Sequence, residues 1–253
     1  MKAFLFTLVV VILIGLGITG FAVRHLFSNQ QVEKSIINNL KRSDIKITLI
    51  EGKRKEEIAL LLEANGVCSA SSFLTAAAGV EGKLFPDTYQ FFPDTSAREV
   101  VKTLTDNFEV KTKTNPPSND ELILASIIER EAKNDTERST IAGVYTNRLN
   151  KGIKLDADPT VQYAKDSLEF KSQTIGQSQF TFWKSITQAE YQSVKSEYNT
   201  YLKPGLPPTP ITNPGLASIL AAQNPAQHSY LYFLHKNNQL LLSKTLAEHL
   251  SKQ

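Results

Sequence analysis

The segment from Ser118 to Glu131 constrains the fold more than any other. It follows the breaker Asn115-Pro116-Pro117 and opens on Ser118 and Glu121. That is the spacing of a capping box, in which serine takes a free backbone N–H and glutamate reaches back. It continues through Leu122, Ile123, Leu124, Ala125, Ile127 and Ile128 to Glu129-Arg130-Glu131. Such a helix is apolar around most of its circumference and has to be wrapped by other elements. The chain must therefore build a packed body around a central helix that ends in two carboxylates.

The flanking pattern predicts an α+β body. Asp135-Thr136 opens a helix through Ile141, Val144, Tyr145 and Leu149, closed by Gly152. Val100, Val101, Leu104 and Phe108 give an amphipathic helix over 97–108. Ile45, Ile47 and Leu49 alternate with Lys46 and Thr48 as a strand. After the turn at Glu51-Gly52, a helix over 56–64 points Ile58, Leu61 and Leu62 inward and ends at Asn65-Gly66. Residues 81–92 read as a loop or short strand leading into the main domain. Five prolines lie between Pro204 and Pro214, flanked by Tyr198-Asn199-Thr200-Tyr201 and an apolar helix from Leu216 to Ala222. A linker would be polar and plain, so this is read as an ordered binding loop. Tyr230–Leu234 and Leu240–Leu242 around Asn237-Asn238 read as a hairpin, followed by a short helix.

Ala3 to Val23 carries no charged residue and is long enough to span a bilayer as a helix. It exceeds the apolar core of a signal peptide and ends in Phe21-Ala22-Val23-Arg24, a poor cleavage site. Residues 1–27 are thus expected to be an uncleaved transmembrane anchor and 28–44 a helical stalk. Gly15, Gly17 and Gly20 match G-x-G-x-x-G, but inside a membrane span they lack the strand and helix of a dinucleotide site.

Several function classes drop out. A net charge of +3, spread without a dense basic run, does not suit nucleic-acid binding. The single cysteine, Cys68, excludes a disulfide framework. His25, His228, His235 and His249 form no metal-ligand pattern, and neither a P-loop nor G-x-S-x-G is present. No metal or organic cofactor is expected. Carboxylates on the buried helix remain: burial raises a carboxyl pKa, so the group can hold a proton near neutral pH and donate it. On the helical wheel Glu129 lies at the edge of the apolar arc, beside Ser126 and Lys133, where a cleft wall would be. Glu131 lies deeper, between Leu124 and Ile127, and burial alone flags it at least as strongly. A buried carboxylate also serves as a structural ion-pair partner, so the wheel leaves the choice open.

The chain resembles the YceG-like family of endolytic murein transglycosylases. The matching pieces, in order, are Glu81-Gly82-Lys83-Leu84-Phe85-Pro86-Asp87-Thr88-Tyr89; Ala125-Ser126-Ile127-Ile128-Glu129-Arg130-Glu131-Ala132; Asn147-Arg148-Leu149; Ala157-Asp158-Pro159-Thr160-Val161-Gln162-Tyr163; Tyr198-Asn199-Thr200-Tyr201; Gly205-Leu206-Pro207-Pro208; Asn213-Pro214-Gly215; and Ser243-Lys244-Thr245 with Glu248-His249. The resemblance implies a small LysM-like module over 45–80 and a catalytic α+β domain over 81–253. It implies Glu129 as the catalytic acid. Substrate contacts are then expected from Glu131, Asp158, Thr160, Tyr198, Asn199, Thr200, Tyr201 and Pro207.

The implied reaction cuts peptidoglycan between N-acetylmuramic acid and N-acetylglucosamine without water. One carboxyl protonates the glycosidic oxygen and then takes the proton of the sugar's C6 hydroxyl, which closes a 1,6-anhydro ring. A hydrolase would need two carboxylates. The implied setting is the bacterial cytoplasmic membrane, with a single span and the catalytic domain on the outer face. Peptidoglycan strands are the substrate and peptidoglycan synthases the natural partners. Asp156 stands where the family commonly has glutamine, and Leu240 and Leu242 where it often has histidine and an aromatic residue. A tethered scaffold without activity, and a lysozyme-type hydrolase using Asp156 or Asp158, are the competing readings.

Overall fold

The computed structural model describes residues 44–171 and 180–252. The expected anchor over 1–27 and, but for Asp44, the stalk over 28–44 lie outside the described residues. No helix among the described residues is long and apolar enough to cross a membrane.

The chain first builds a small β-α-α-β unit. Strand β1 (Ile45–Thr48) is followed by helices α1 (Lys55–Ala64) and α2 (Ala70–Ala76) and by strand β2 (Thr88–Phe91). β1 and β2 pair antiparallel, with Ile47 opposite Tyr89. The alternation holds: Ile47 is buried while Lys46 and Thr48 face water. On α1 the buried residues are Ile58, Ala59 and Leu62. The expected inward Leu61 is instead 38% exposed. At 100° per residue it falls on the side of Leu62 away from Ala59. Helix α2 was not anticipated. Ser69 caps it by accepting a hydrogen bond from Ser72 N–H.

Helix α3 (Ala97–Thr112), capped by Ser96, is shared between two cores. Val100, Val101 and Leu104 pack with Ile47, Ile58, Leu62 and Phe73, whereas Phe108 packs with Leu122 and Ile128. Helix α4 (Asn119–Glu131) forms the expected capping box between Ser118 and Glu121, and every residue from Leu122 to Ile128 is buried. It packs against α5 (Asp135–Asn150), α6 (Asp158–Lys171) and α8 (Leu216–Gln223). Helix α5 closes before Gly152, whose φ is +64°. Helix α6, absent from the sequence expectations, tolerates Pro159 because the first-turn N–H groups have no helical partner.

A short α7 (Glu190–Ser193) precedes the proline loop. Last come hairpin strands β3 (Tyr232–Lys236) and β4 (Gln239–Ser243) and helix α9 (Leu246–Leu250). Asn237 and Asn238 both have positive φ, 53° and 58°, which is the two-residue turn suited to the right-handed strand twist.

The proline loop is ordered, with Pro207 and residues 210–215 buried. Asn213 ties it to the β-α-α-β unit. Its Nδ2 donates to Lys53 O at 3.0 Å and Glu81 Oε1 at 2.7 Å, and its Oδ1 accepts from Gly82 N–H at 2.8 Å and Leu84 N–H at 2.9 Å. Gly82 is required here: φ is +90°, and a Cβ would come within 2.6 Å of Pro210 Cγ. Burial, with the Glu56 charge adding, pushes the Glu81 carboxyl up to about 8 against Lys55 and Arg54.

Candidate active site

Helix α4 ends at Glu131 because Ala132 turns extended, at ψ 131°. That stop leaves the Glu131 side chain at the wall of a cleft of about 620 Å³. One wall is α5, through Val144, Tyr145 and Arg148. The floor is Leu155, Asp156 and Asp158 with Tyr201, and the far wall is the β3–β4 hairpin and α9. The Tyr145 hydroxyl donates to Glu131 Oε1 at 3.0 Å. Glu131 keeps some contact with the cleft, but protein crowds its carboxyl. Desolvation is the main cause lifting its pKa to about 7; the Tyr145 hydrogen bond and Arg130 oppose, and the Asp158 charge adds.

Asp158 sits in the first turn of α6. It accepts from Tyr201 Oη at 2.6 Å and Tyr191 Oη at 3.2 Å, and those two rings lie 4.2 Å apart. Burial and the bonded Asp158 carboxylate drive Tyr201 far above the ordinary phenol range. Arg148 braces the floor to the hairpin. Its Nε donates to Leu231 O at 2.7 Å and its Nη1 donates to Lys154 O at 3.1 Å and Asp156 Oδ2 at 3.2 Å. Asp156 holds a φ of +48°, and burial raises its pKa against the pull of Arg148 and Lys154. His235 on β3 meets Glu137 of α5 at 3.0 Å and so ties the hairpin down.

Glu129 is not among the residues lining this cleft. Its side chain is 5% exposed and pairs with Arg138 Nη1 at 2.9 Å. Its Oε2 accepts from Gly215 N–H, the N-cap of α8, at 2.8 Å. Arg138 is itself held by Asp135 and Ser218. The arc edge that the helical wheel offered as a cleft wall is therefore covered, by Arg138 and the start of α8.

Of the residues expected at the substrate, Glu131, Asp158 and Tyr201 line the cleft together. Thr160, Asn199 and Thr200 are buried supports. Thr160 and Thr200 share a hydrogen bond at 2.9 Å, and Asn199 Nδ2 donates to Tyr191 O at 3.1 Å and Val194 O at 2.8 Å. The Tyr198 ring lies 4.8 Å from that of Tyr163, tilted by 49°, and its hydroxyl bonds Thr209; Pro207 is buried in the loop. None of these five lines the cleft. Tyr145, Gln188, Tyr232 and His235 line it without having been singled out; they come from separate elements, and no sequence spacing joins them to Glu131. Arg148 carried a signal, since it lies in the matched piece Asn147-Arg148-Leu149. Leu240 packs against the main core opposite His235, and Leu242 pairs with Phe233. Among the described residues no cluster of three or more His, Cys, Asp or Glu side chains could hold a metal.

The YceG-like family model matches residues 21–253. An endolytic murein transglycosylase of Bacillus subtilis is 38% identical over 184 residues, covering 67% of this chain and 46% of that protein. One from Streptococcus pneumoniae is 29% identical over 195 residues, covering 69% of this chain and 33% of that protein. The chain thus spans less than half the length of either relative. The crystal structure of a yceG-like protein from Listeria monocytogenes superimposes with a TM-score of 0.69 at 29% identity, over 88% of this chain and 80% of that one.

Proposed function

The chain belongs to the YceG-like family, and from that membership we propose that it is an endolytic peptidoglycan lytic transglycosylase with Glu129 as its acid. What supports the assignment is the family match together with the Glu129 carboxyl at the end of the buried helix α4, 5% exposed and held on its two oxygens by Arg138 and Gly215 N–H, which fix its orientation. Two positions on, Glu131 lines the neighbouring cleft, where it is read as a substrate-side support.

Glu129 gives its proton to the glycosidic oxygen as that C–O bond breaks. The resulting carboxylate takes the proton of the muramyl C6 hydroxyl as its oxygen bonds C1, which closes the 1,6-anhydro ring and restores the acid. The nucleophile belongs to the substrate, so its attack is intramolecular. Asp158 lines the same cleft, but both its oxygens already accept from tyrosine hydroxyls, which makes it a poor base for a water.

In the same reading the uncharged run Ala3–Val23 anchors the chain by a single span in the bacterial cytoplasmic membrane, with the body on the outer face. Residues 28–44 act as the stalk. The compact β-α-α-β arrangement supports a LysM-like role for the small unit. Peptidoglycan synthases of that membrane are the expected partners.

The test is mass spectrometry of products released from isolated peptidoglycan by the full chain purified in detergent. Anhydro-muramyl ends from the wild type, reduced about 10²–10⁴-fold by Glu129→Gln, are expected. Reducing ends would point to a hydrolase with Asp158 as second carboxylate. Binding without release would leave a wall-tethered scaffold.

A further inference from the structure

The small unit reaches the end of α4 through the turn Glu51-Gly52. Gly52 N–H donates to Asn213 O at 3.0 Å, and Lys53 O accepts from Asn213 N–H at 2.9 Å, so the turn is pinned to the proline loop. Gly52 has a φ of +76°, and a Cβ there would lie 3.5 Å from both Glu129 Cγ and Arg130 Cδ. The turn therefore lies directly against the Glu129 side chain. Glu51 itself is exposed, and among the described residues no hydrogen bond or ion pair holds its carboxylate. A Cβ on Gly215 would fall 2.6 Å from Glu51 Cγ, 3.4 Å from Glu51 Oε1 and 3.5 Å from Glu129 Oε2. The two oxygens thus flank one point and lie less than about 7 Å apart, within the range of paired carboxylates that act on one glycosidic bond. Glu129 is 5% exposed, so a glycan approaching it from solvent meets the Glu51 carboxylate beside it.

We infer that Glu51 is a second catalytic carboxylate, supplied by the small unit: its negative charge faces the positive charge that develops at C1 of the muramyl ring as Glu129 protonates the leaving oxygen. The transition state of glycoside cleavage resembles an oxocarbenium ion, and a fixed opposite charge stabilises it more than it stabilises the neutral ground state. Glu51 neither gives nor takes a proton. The leaving oxygen receives the proton of Glu129, the C6 hydroxyl returns one, and no water enters, so the products keep their anhydro-muramyl ends. The small unit then takes part in the chemistry itself. The inference rests on Glu129 being the acid.

Glu51→Gln keeps the size of the side chain and removes its charge. The full chain carrying it, in detergent on uncrosslinked glycan strands, is expected to lose about ten- to a hundredfold in kcat, the range for one opposite charge at a partly solvated site. KM should stay within about twofold, because the interaction is made only in the transition state. Glu51→Ala should lose as much, since the charge and not the bulk is what acts. Both variants should melt with the wild type, because this side chain has no partner to lose; a merely structural glutamate would lower the melting temperature and leave kcat in place. Wild-type kcat in Glu51→Gln, or a rise in KM alone, would overturn the inference while Glu129→Gln stays inactive. Reducing ends from the wild type that vanish in Glu51→Gln would make Glu51 the base for a water, and would overturn it as well. Wild-type turnover in Glu129→Gln would instead overturn the proposed function beneath it.

Discussion

Glu129 and Glu131 stand two positions apart on one helix and meet opposite surroundings. Glu131 is enclosed with a single hydroxyl donor, and its pKa of about 7 lies above the ordinary 4.5. The folded chain therefore holds that proton more tightly than the unfolded chain. Below about pH 4.5 both states are protonated and the carboxyl costs nothing; between 4.5 and 7 the cost grows, and above 7 it is complete, at most about 3 kcal/mol. Glu131→Gln should thus match the wild type in urea midpoint near pH 4.5 and exceed it at pH 8. Glu129→Gln should do the reverse at pH 8 and lose about 1–3 kcal/mol, because the amide oxygen can accept from only one of Arg138 and Gly215 N–H while the NH2 group faces the other donor. A helical wheel gives each carboxylate an angle but cannot say what covers that angle. Arg138 lies nine residues on and Gly215 eighty-six, so what covers each glutamate was not legible from spacing.

Elements with local signals were readable, and those defined by distant partners were not. The Ser118–Glu121 box, the Asn65-Gly66 stop and the Asn237-Asn238 turn each depend on a few adjacent residues, and all three form. Helix α6 escaped notice because its start reads as a motif around a proline, and its inner residues Val161, Tyr163 and Ala164 show their purpose only against α4. Helix α5 carries a further constraint in Gly143. A Cβ there would overlap the Ala226 carbonyl oxygen and lie 2.6 Å from His228 Nε2. The segment it would displace is held by Asn147 Nδ2, which donates to His228 O at 2.7 Å and Tyr230 O at 3.1 Å, and it leads into the cleft hairpin. Gly143→Ala gains helix propensity of about 1 kcal/mol yet should lower stability by about 1–3 kcal/mol through overpacking. A thermal melt checks the sign: a rise in melting temperature would mean that the 226–230 segment yields freely.

Across the whole molecule, Asn213 joins the small unit to the larger helical body with four side-chain hydrogen bonds and a backbone bridge to Lys53. Asn213→Ala leaves the Gly82 and Leu84 N–H groups and the Glu81 carboxyl short of a partner, at a cost of at least about 3 kcal/mol. Trp183, the single tryptophan, reports on this junction: its Nε1 donates to Glu57 of α1 at 2.8 Å, and Arg130 of α4 lies 4.2 Å from its ring. Urea unfolding of Asn213→Ala should shift midpoints by fluorescence and circular dichroism together, since residues 45–253 form one compact unit. Two separated transitions would mean that the small unit stands alone.

The cleft is lined by residues from Glu131 to Leu250. Its hairpin wall leaves the ribosome more than a hundred residues after Glu131. A partly synthesised chain therefore carries the carboxyl long before the chamber around it exists. Assembly waits on pairings between sequence-distant segments, which form slowly. In the proposed reading, cutting of the wall is thereby withheld until the last strands are in place.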